Sequence, residues 1–245
     1  MPQEQMLMEV AALTDVGRVR SANEDAHGLC AEAGFFVVCD GMGGAAAGEI
    51  ASNTAMTTMT ERLCKLQPSD DPHQALESAI AEANDRVFLH AERESSLHGM
   101  GTTLVSLLVR EGHVWIANVG DSRCYRYRTG SLERMTEDHS LVDEQVRLGQ
   151  MTPAEAATSP LRNVITRAIG TREAVTPDIK EMATEHGDLF LLCSDGLTKE
   201  VSEPRLAELL GGDVADLQTL CQRLIQDAND SGGSDNITAI LVRIA

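Results

Sequence analysis

The sequence predicts an α+β fold built from antiparallel sheets that are covered by helices. Seven short apolar runs have the composition of strands, and two of them are separated by a turn short enough for a hairpin. Long helical patterns stand between groups of these strands rather than after each one, which argues against a regular βαβ repeat. Because no internal repeat or linker rich in Pro, Gly or Ser divides the chain, we expect one domain over residues 1–245.

The predicted strands are β-branched or aliphatic runs bounded by Gly, Asp, Asn or Ser. In chain order they are Met6–Leu13, Phe35–Cys39, Thr103–Val109, Val114–Asn118, Cys124–Arg128, Leu189–Cys193 and Ile237–Ile244. The third and fourth are joined across Arg110–His113, with Gly112 in the turn, so we expect a β-hairpin there. Segments 129–140 and 166–180 are expected to be irregular.

Three segments are predicted to be helices. Asp71 followed by Pro72 is typical of a helix start, and apolar residues recur after it at helical spacing. Asp213 is expected to cap a second helix that starts at Val214, and Ala45–Leu66 is a third, rich in Ala, Thr and Met. The apolar face of each such helix is expected to cover a sheet.

The chain is strongly acidic, with 38 Asp+Glu against 20 Lys+Arg and a formal net charge of −18. A nucleic-acid backbone would repel such a protein, which excludes an electrostatic nucleic-acid binder. No apolar run approaches the roughly 20 residues that span a bilayer. The first residues also lack the pattern of a secretory signal, so we expect no membrane segment and a cytoplasmic location. The six cysteines lack Cys-x-x-Cys pairing, and we expect buried, reduced thiols.

Acidic residues stand beside glycine at strand ends four times. They are Asp40, Asp121, Asp195 and Asp235, and a further acidic pair is Glu24–Asp25. Each one alone is explained by a turn or a helix cap, because Asp-Gly is a common turn dipeptide. Together, carboxylates beside glycines whose carbonyls can approach closely favour a hard-cation site. Since no Cys or His stands at zinc spacing, these ligands point to Mg²⁺ or Mn²⁺.

A set of short motifs runs in order from residue 14 to residue 238, nearly the whole chain. They are Thr14-Asp15-x-Gly17, Arg20-x-x-Asn23-Glu24-Asp25, Asp40-Gly41-Met42-Gly43-Gly44, Gly99-Met100-Gly101-Thr102-Thr103, Gly120-Asp121-Ser122-Arg123, Asp138-His139-Ser140, Thr166-Arg167-Ala168-Ile169-Gly170, Ser194-Asp195-Gly196-Leu197 and Asp235-Asn236-Ile237-Thr238. Each motif is weak alone. The ordered set is highly specific and resembles the metal-dependent PPM (PP2C-type) serine/threonine protein phosphatases, in their short bacterial form.

The resemblance implies a four-layer α-β-β-α sandwich, in which two antiparallel sheets pack face to face between helices and the metal site lies at one end of the sheets. It implies that Asp40 bridges two ions, with the Gly41 carbonyl on one and Asp195 and Asp235 on the other. Asp121, together with Asp195, resembles the third-metal site of bacterial relatives. The implied cofactors are two central Mn²⁺ or Mg²⁺ ions, with or without a third.

The resemblance also implies three catalytic residues and a mobile segment. Glu24 and Asp25 would hold metal-bound waters, and Arg20 would bind the substrate phosphate, for which a guanidinium offers a bidentate fork. The alternative for Arg20 is an ordinary surface ion pair with a neighbouring glutamate. Segment 141–162 matches the flap that lies beside the active site in this group.

The implied reaction is metal-dependent hydrolysis of phosphoserine and phosphothreonine in proteins, opposed by a serine/threonine kinase. The uncatalysed reaction is so slow that acceleration approaching ~10²¹-fold is required. Two divalent cations about 3.5–4 Å apart provide an acidified bridging water and a clamp on the phosphoryl oxygens. Two other readings stay open: a pseudophosphatase that binds phosphoproteins, and a phosphatase dedicated to one regulatory phosphoprotein. We expect a monomer.

Three positions call for comment against the family pattern. Met42 occupies the place where many eukaryotic members carry a histidine thought to protonate the leaving oxygen, although methionine is common in bacterial members. His139 could donate that proton or could be structural, and water could serve instead. Lys199 stands where relatives often have an aspartate near the third metal, so it could weaken that ion while sparing the central pair. The alternative is an ordinary lysine on a solvated loop.

Overall fold

Two antiparallel sheets form the centre of the molecule, seen in a computed structural model that describes residues 8–213 and 216–245. The strands are β1 Met8–Asp15, β2 Asp25–Cys30, β3 Phe35–Met42, β4 Gly101–Thr102, β5 Leu104–Arg110, β6 His113–Val119, β7 Arg123–Arg128, β8 Ser131–Arg134, β9 Asp178–Ala183, β10 Leu189–Cys193 and β11 Ile237–Ile244. One sheet has the order β1-β11-β10-β7-β8. The other has the order β2-β3-β5-β6-β9, with β4 paired to β3.

Side chains along the buried strands point alternately toward the other sheet and toward the helices. Phe36 and Val38 of β3 pack in an apolar layer with Phe190 of β10 and Ile240 of β11, so the two sheets lie face to face. The intervening residues of the same strands turn the other way, and Val37 packs under helices instead. The expected α-β-β-α sandwich is therefore confirmed.

Helices cover the outer face of each sheet. The helices are α1 Ala45–Leu63, α2 Pro72–Arg93, α3 Leu141–Arg147, α4 Pro153–Thr158, α5 Asp195–Thr198, α6 Glu203–Leu210 and α7 Leu217–Asp230. Helices α1 and α2 pack on the six-stranded sheet, and α5, α6 and α7 pack on the five-stranded sheet. None of the helices within residues 8–213 and 216–245 combines the length and the apolar character that a membrane crossing requires.

The two predicted helix starts have different outcomes. The Asp71 side chain accepts a hydrogen bond from the Gln74 N–H at 2.9 Å, as expected of a cap. The predicted cap at Asp213 is wrong, because Asp216 performs that role by accepting from the Thr219 N–H at 2.7 Å. Val214 lies outside the described residues, as do the first two residues of the strand predicted to start at Met6.

The predicted hairpin is confirmed, and strands that lack an apolar pattern were missed. Strands β5 and β6 pair from Leu104 to Arg110, and the turn places Glu111 at φ 49° and Gly112 at φ 77°. Strands β2, β4, β8 and β9 were not predicted, and the expectation of irregular structure is wrong for β8 and the start of β9. Both are edge strands with alternating exposed residues, so little apolar burial marks them in the sequence.

The expectation of six reduced thiols is wrong for one pair. Cys30, at the end of β2, and Cys64, just after α1, form a disulfide with a Cα–Cα distance of 5.8 Å. A separation of 34 residues gave no sequence signal, because β2 itself carries no clear strand pattern. The other four cysteines are buried and free, as expected.

Candidate active site

The acidic residues singled out in the sequence lie together where both sheets end. Asp25 starts β2 and is the direct cross-strand partner of Asp40 on β3, in the six-stranded sheet. From the five-stranded sheet, the Ser194 and Thr238 hydroxyls each donate to Asp25 Oδ2 at 2.7 Å. Hydrogen bonds between residues of the two sheets therefore fix the carboxylates at this end of the sandwich.

The backbone on either side of Glu24 is also anchored. The Asn236 Oδ1 accepts from the Glu24 N–H at 2.8 Å, and its Nδ2 donates to the carbonyls of Val16 and Ala22 at 3.0 and 2.9 Å. The Gly41 N–H donates to the Glu24 carbonyl at 3.1 Å. One amide side chain thus positions the loop that carries Arg20 and Glu24.

Glycines let helix α1 approach the end of β3. A Cβ on Gly41 would lie 2.1 Å from the Gly48 carbonyl oxygen, and a Cβ on Gly48 would lie 1.9 Å from a Glu24 carboxylate oxygen. Gly41 therefore has no room for a side chain, and a side chain at Gly48 would push the Glu24 carboxylate aside. The Asp-Gly-Met-Gly-Gly motif therefore keeps the Gly41 backbone within a crowded, oxygen-rich corner.

The motif around Gly101 supports Asp40 from the other side. The Thr103 Oγ1 accepts from the Asp40 N–H at 3.0 Å, and the Thr103 N–H donates to the Asp40 carbonyl at 2.9 Å. The Thr102 hydroxyl donates to the same carbonyl at 2.9 Å. With its backbone satisfied in this way, the Asp40 carboxylate is held at the strand end.

Burial and mutual repulsion dominate the electrostatics of the site. Burial, followed by the charges of Asp25 and Asp195, raises the pKa of Asp40 well above its usual range. Burial raises the pKa of Asp25 to about 7, against the lowering effect of its two hydroxyl donors. Burial, followed by the Asp195 charge, likewise raises the pKa of Asp121 to about 7. Such a cluster is costly unless a cation compensates it.

The donor set fits a hard divalent ion. Asp25, Asp121 and Asp195 each keep one buried Oδ1 atom without a hydrogen-bond partner. Buried carboxylate oxygens are normally satisfied, so these three call for cations or water. Within residues 8–213 and 216–245, no group of three or more Asp, Glu, His or Cys side chains is placed to hold a metal ion by itself. Backbone carbonyl and water oxygens would have to complete any shell, as Mg²⁺ and Mn²⁺ allow.

Two basic side chains enter the acidic cluster. Lys199 Nζ lies 2.5 Å from Asp195 Oδ2 and 3.1 Å from Asp235 Oδ2. Arg20 Nη2 lies 2.9 Å from Asp235 Oδ1. The alternatives considered for these two residues are therefore wrong in detail. Lys199 is not a free lysine on a loop, and Arg20 pairs with an aspartate of the site, not with a neighbouring glutamate.

His139 supports the loop before Asp121 and is fully buried. Its Nδ1 accepts from the Gly120 N–H at 3.1 Å, and its Nε2 lies 3.0 Å from Asp178 Oδ2. With both ring nitrogens bonded inside the protein, His139 has no free nitrogen to protonate a substrate. The preceding Asp138 is held by three hydrogen bonds from Arg123, so this motif is structural.

Segment 141–162 contains α3 and α4 and is closed at its base. The Leu141 N–H donates to the Val164 carbonyl at 2.8 Å, and the Thr166 hydroxyl donates to Glu144 Oε1 at 2.7 Å. Leu148 near its tip is 70% exposed. The flap assignment stays a prediction.

The neutral residues that hydrogen-bond to the acidic residues were not predicted from the sequence to have a role. The hydroxyls of Ser194, Thr238 and Thr103 and the amide of Asn236 all belong to quoted motifs, but their partners are up to 213 residues away. For Ser194, Asn236 and Thr238, the available signal was a position one or three residues from a motif aspartate, whereas Thr103 had none. Only the folded topology shows which carboxylate each one serves.

Comparison with known proteins gives consistent results. The family model for Protein phosphatase 2C matches residues 11–237. A serine/threonine phosphatase stp from Listeria monocytogenes is 39% identical over 238 residues, covering 94% of this chain and 93% of the relative. The Streptococcus agalactiae serine/threonine phosphatase structure superposes with a TM-score of 0.92 at 36% identity, covering 98% of this chain and all of that one. The catalytic domain of the phosphatase PstP, solved with two manganese ions, gives 0.88 at 34% identity, covering 97% and 98%.

Proposed function

The chain belongs to the protein phosphatase 2C family and is a metal-dependent serine/threonine protein phosphatase, and from that premise we propose which residues carry the reaction. Asp40, Asp195 and Asp235, with the Gly41 carbonyl, hold two central Mn²⁺ or Mg²⁺ ions. Asp121, together with Asp195, holds a third. Asp121 and Asp195 are supported by buried carboxylate oxygens that have no hydrogen-bond partner. Asp40 is supported by its burial among the other acids, and Asp235 by the two basic side chains that its carboxylate attracts.

When bound, two divalent cations lower the pKa of a water that attacks phosphorus and neutralise the phosphoryl oxygens. The chain's own residues orient that water. Asp25 keeps Oδ1 free while Ser194 and Thr238 hold Oδ2, so its carboxylate accepts hydrogen bonds in a fixed direction. Glu24, the residue directly before Asp25, is anchored through its backbone by Asn236 and offers a second carboxylate to the same water. The Nε2–H of His139 is taken up by Asp178, and Met42 has no acidic proton, so we assign the proton on the leaving oxygen to water.

Arg20 is proposed to bind the substrate phosphate. Its side chain is 49% exposed, and within residues 8–213 and 216–245 only Nη2 is engaged, by Asp235. The remaining N–H groups can donate to phosphoryl oxygens in charge-assisted hydrogen bonds. Through Asp235, the phosphate site is linked directly to a proposed metal ligand.

We expect Arg20→Ala to reduce kcat/KM for a phosphothreonine peptide by about 10–100-fold, because a hydrogen bond to a charged group contributes roughly 1.5–3 kcal/mol. Steady-state kinetics at saturating Mn²⁺ measure this, and Arg20→Lys should recover part of the loss. Arg93→Ala, an exposed arginine at the end of α2, removes the same charge and should leave the kinetics unchanged. Equal kinetics for Arg20→Ala and Arg93→Ala would exclude a phosphate contact.

The activity itself is tested by hydrolysis of matched phosphothreonine and phosphotyrosine peptides, with EDTA, Mg²⁺ or Mn²⁺ added in turn. We expect release from phosphothreonine that EDTA abolishes and Mn²⁺ or Mg²⁺ restores, with little release from phosphotyrosine. The pseudophosphatase alternative predicts no release under any condition from protein that circular dichroism shows to be folded. All three core aspartates are present, which favours turnover.

The remaining assignments rest on the family resemblance. We propose that phosphorylated proteins are dephosphorylated in opposition to a serine/threonine kinase. Residues 1–245 are proposed to act as one domain, with 141–162 as a flap, and the protein as a monomer. The cytoplasmic location stays a prediction of the sequence.

A further inference from the structure

Lys199 is the lysine placed among the proposed metal ligands. The chain has three lysines, all with exposed surface, and among the described residues only Lys199 of the three forms ion pairs. The Lys199 ammonium contacts Asp195 and Asp235 at once, at 2.5 and 3.1 Å. Its side chain is 31% exposed, so most of its surface lies against the protein.

The local structure explains why Lys199 contacts both aspartates. Asp195 is the first residue of α5, and Lys199 follows its last turn, so the two side chains occupy one face at an i,i+4 spacing. Asp235 precedes β11 and lies beside this helix, where Gly196 allows close approach: a Cβ there would lie 2.0 Å from the Asn236 carbonyl oxygen. The ammonium therefore bridges a helix and a loop that both carry proposed metal ligands.

The two contacted carboxylates differ in what else neutralises them. Asp235 is also bound by Arg20, whereas Asp195 keeps a buried Oδ1 without a partner. Lys199 is thus the cation that compensates Asp195 among the described residues. Asp195 keeps its Oδ1 for a divalent ion, but both oxygens of Asp235 are already held by cations, Oδ2 by Lys199 and Oδ1 by Arg20. An ion placed on Asp195 and Asp235 would therefore meet the ammonium at Asp235.

We propose that Lys199 is a tethered competitor for the metal site: its ammonium holds Asp195 and Asp235 together without metal, and an incoming ion must displace it. This inference rests on the proposed ligand set. It also changes the expectation from the sequence, since Lys199 acts on Asp235, a ligand of the central pair, and not only near a third ion.

If this is correct, Lys199 lowers the affinity for the metal and raises the stability of the metal-free protein. Removing the ammonium removes a repulsive charge from the ion's position, so the metal should bind more tightly. It also removes the compensation of two crowded carboxylates, so the metal-free protein should become less stable. A lysine that merely joins α5 to the loop would affect stability alone.

The test is titration of metal-free protein with Mn²⁺, followed by isothermal calorimetry, for wild type, Lys199→Met, Lys199→Arg and the control Lys65→Met. Methionine keeps the length of the side chain without the charge. We expect Lys199→Met to bind Mn²⁺ at least about tenfold more tightly, within the usual range of coupling between sites. Lys199→Arg should stay within about threefold of wild type, because it keeps the competing cation. Lys65→Met should equal wild type.

Thermal unfolding gives a second readout. Lys199→Met should have a lower Tm than wild type in EDTA and an equal or higher Tm in saturating Mn²⁺. Unchanged or weaker Mn²⁺ binding by a folded Lys199→Met protein would overturn the inference. A wild-type protein that binds no Mn²⁺ would instead overturn the metal assignment on which it rests, and the two failures are distinct.

Wild-type protein allows a test that needs no variant. With ¹⁵N-labelled lysine, the chain gives at most three side-chain Nζ resonances, and Lys199→Arg identifies one of them. Titration with diamagnetic Mg²⁺ should move the Lys199 resonance toward the positions of the other two lysines, while those of Lys65 and Lys180 stay fixed. A Lys199 resonance that stays fixed through saturation would show that the ammonium is not displaced.

Discussion

Asp40→Asn is expected to abolish turnover, reducing kcat by at least about 10³-fold, while the protein remains folded. Burial and the charges of four surrounding acids raise the pKa of Asp40, so its charge is costly without a cation. An amide keeps the shape and the backbone hydrogen bonds to Thr103 but removes the charge that Asp40, as a proposed metal ligand, would supply. Phosphothreonine-peptide kinetics across a Mn²⁺ titration measure the loss.

Stability separates this explanation from misfolding. Since the substitution removes a buried charge from a crowded acidic cluster, the Tm of metal-free Asp40→Asn should equal or exceed that of wild type. The stabilisation by saturating Mn²⁺ should shrink, because stabilisation follows ligand affinity. Asp85→Asn, an exposed change on α2, should leave activity and both Tm values unchanged. Near-normal activity in Asp40→Asn would refute the two-ion assignment.

Asp235→Asn is expected to reduce kcat/KM by at least about 10²-fold and to weaken Mn²⁺ binding. Asp235 meets both basic side chains of the site, Arg20 and Lys199, in addition to its proposed place on an ion. Loss of its charge therefore removes a ligand and also releases Arg20 from its present position. Kinetics and Mn²⁺ calorimetry on the same preparation measure the two effects together.

The matched control is Asp230→Asn at the end of α7, an exposed aspartate bound by Gln226 at 2.6 Å. It should behave as wild type in both assays. If Asp235→Asn loses activity but binds Mn²⁺ with unchanged affinity, Asp235 acts through Arg20 and not as a metal ligand. Retention of both properties would remove Asp235 from the site.

The strands predicted correctly are those whose burial produces a recognisable apolar pattern in the local sequence. Leu189–Cys193 and Ile237–Ile244 are buried on both faces, so they read as continuous apolar runs, and the structure places strands at those bounds. Strand β2 was missed because its six residues include Asp25, His27 and Gly28. Each of these fits its neighbours in the fold, but none belongs to the residue types that favour strands. Gly28, for example, faces the Thr60 hydroxyl, 2.4 Å from where a Cβ would lie.

Part of the candidate site could be predicted from the sequence for a similar reason. A charge at the end of an apolar run conflicts with its surroundings, which made Asp40 and Asp195 visible from local context. Their grouping required knowledge of the sheet order, which spacing does not contain. Lys199 shows this limit, because its second contact, with Asp235, lies 36 residues away and follows only from the position of α5 beside β11.

The division of the site between the two sheets links metal binding to the packing of the sandwich. Asp25 and Asp40 belong to one sheet, Asp195 and Asp235 flank strands of the other, and an apolar layer that includes Phe36 separates the sheets. Any ion that binds carboxylates from both sheets acts as a clamp across the interior, so its binding energy opposes sliding of one sheet over the other. By thermodynamic reciprocity, each change in how tightly the two sheets fit must also change the affinity for the ion.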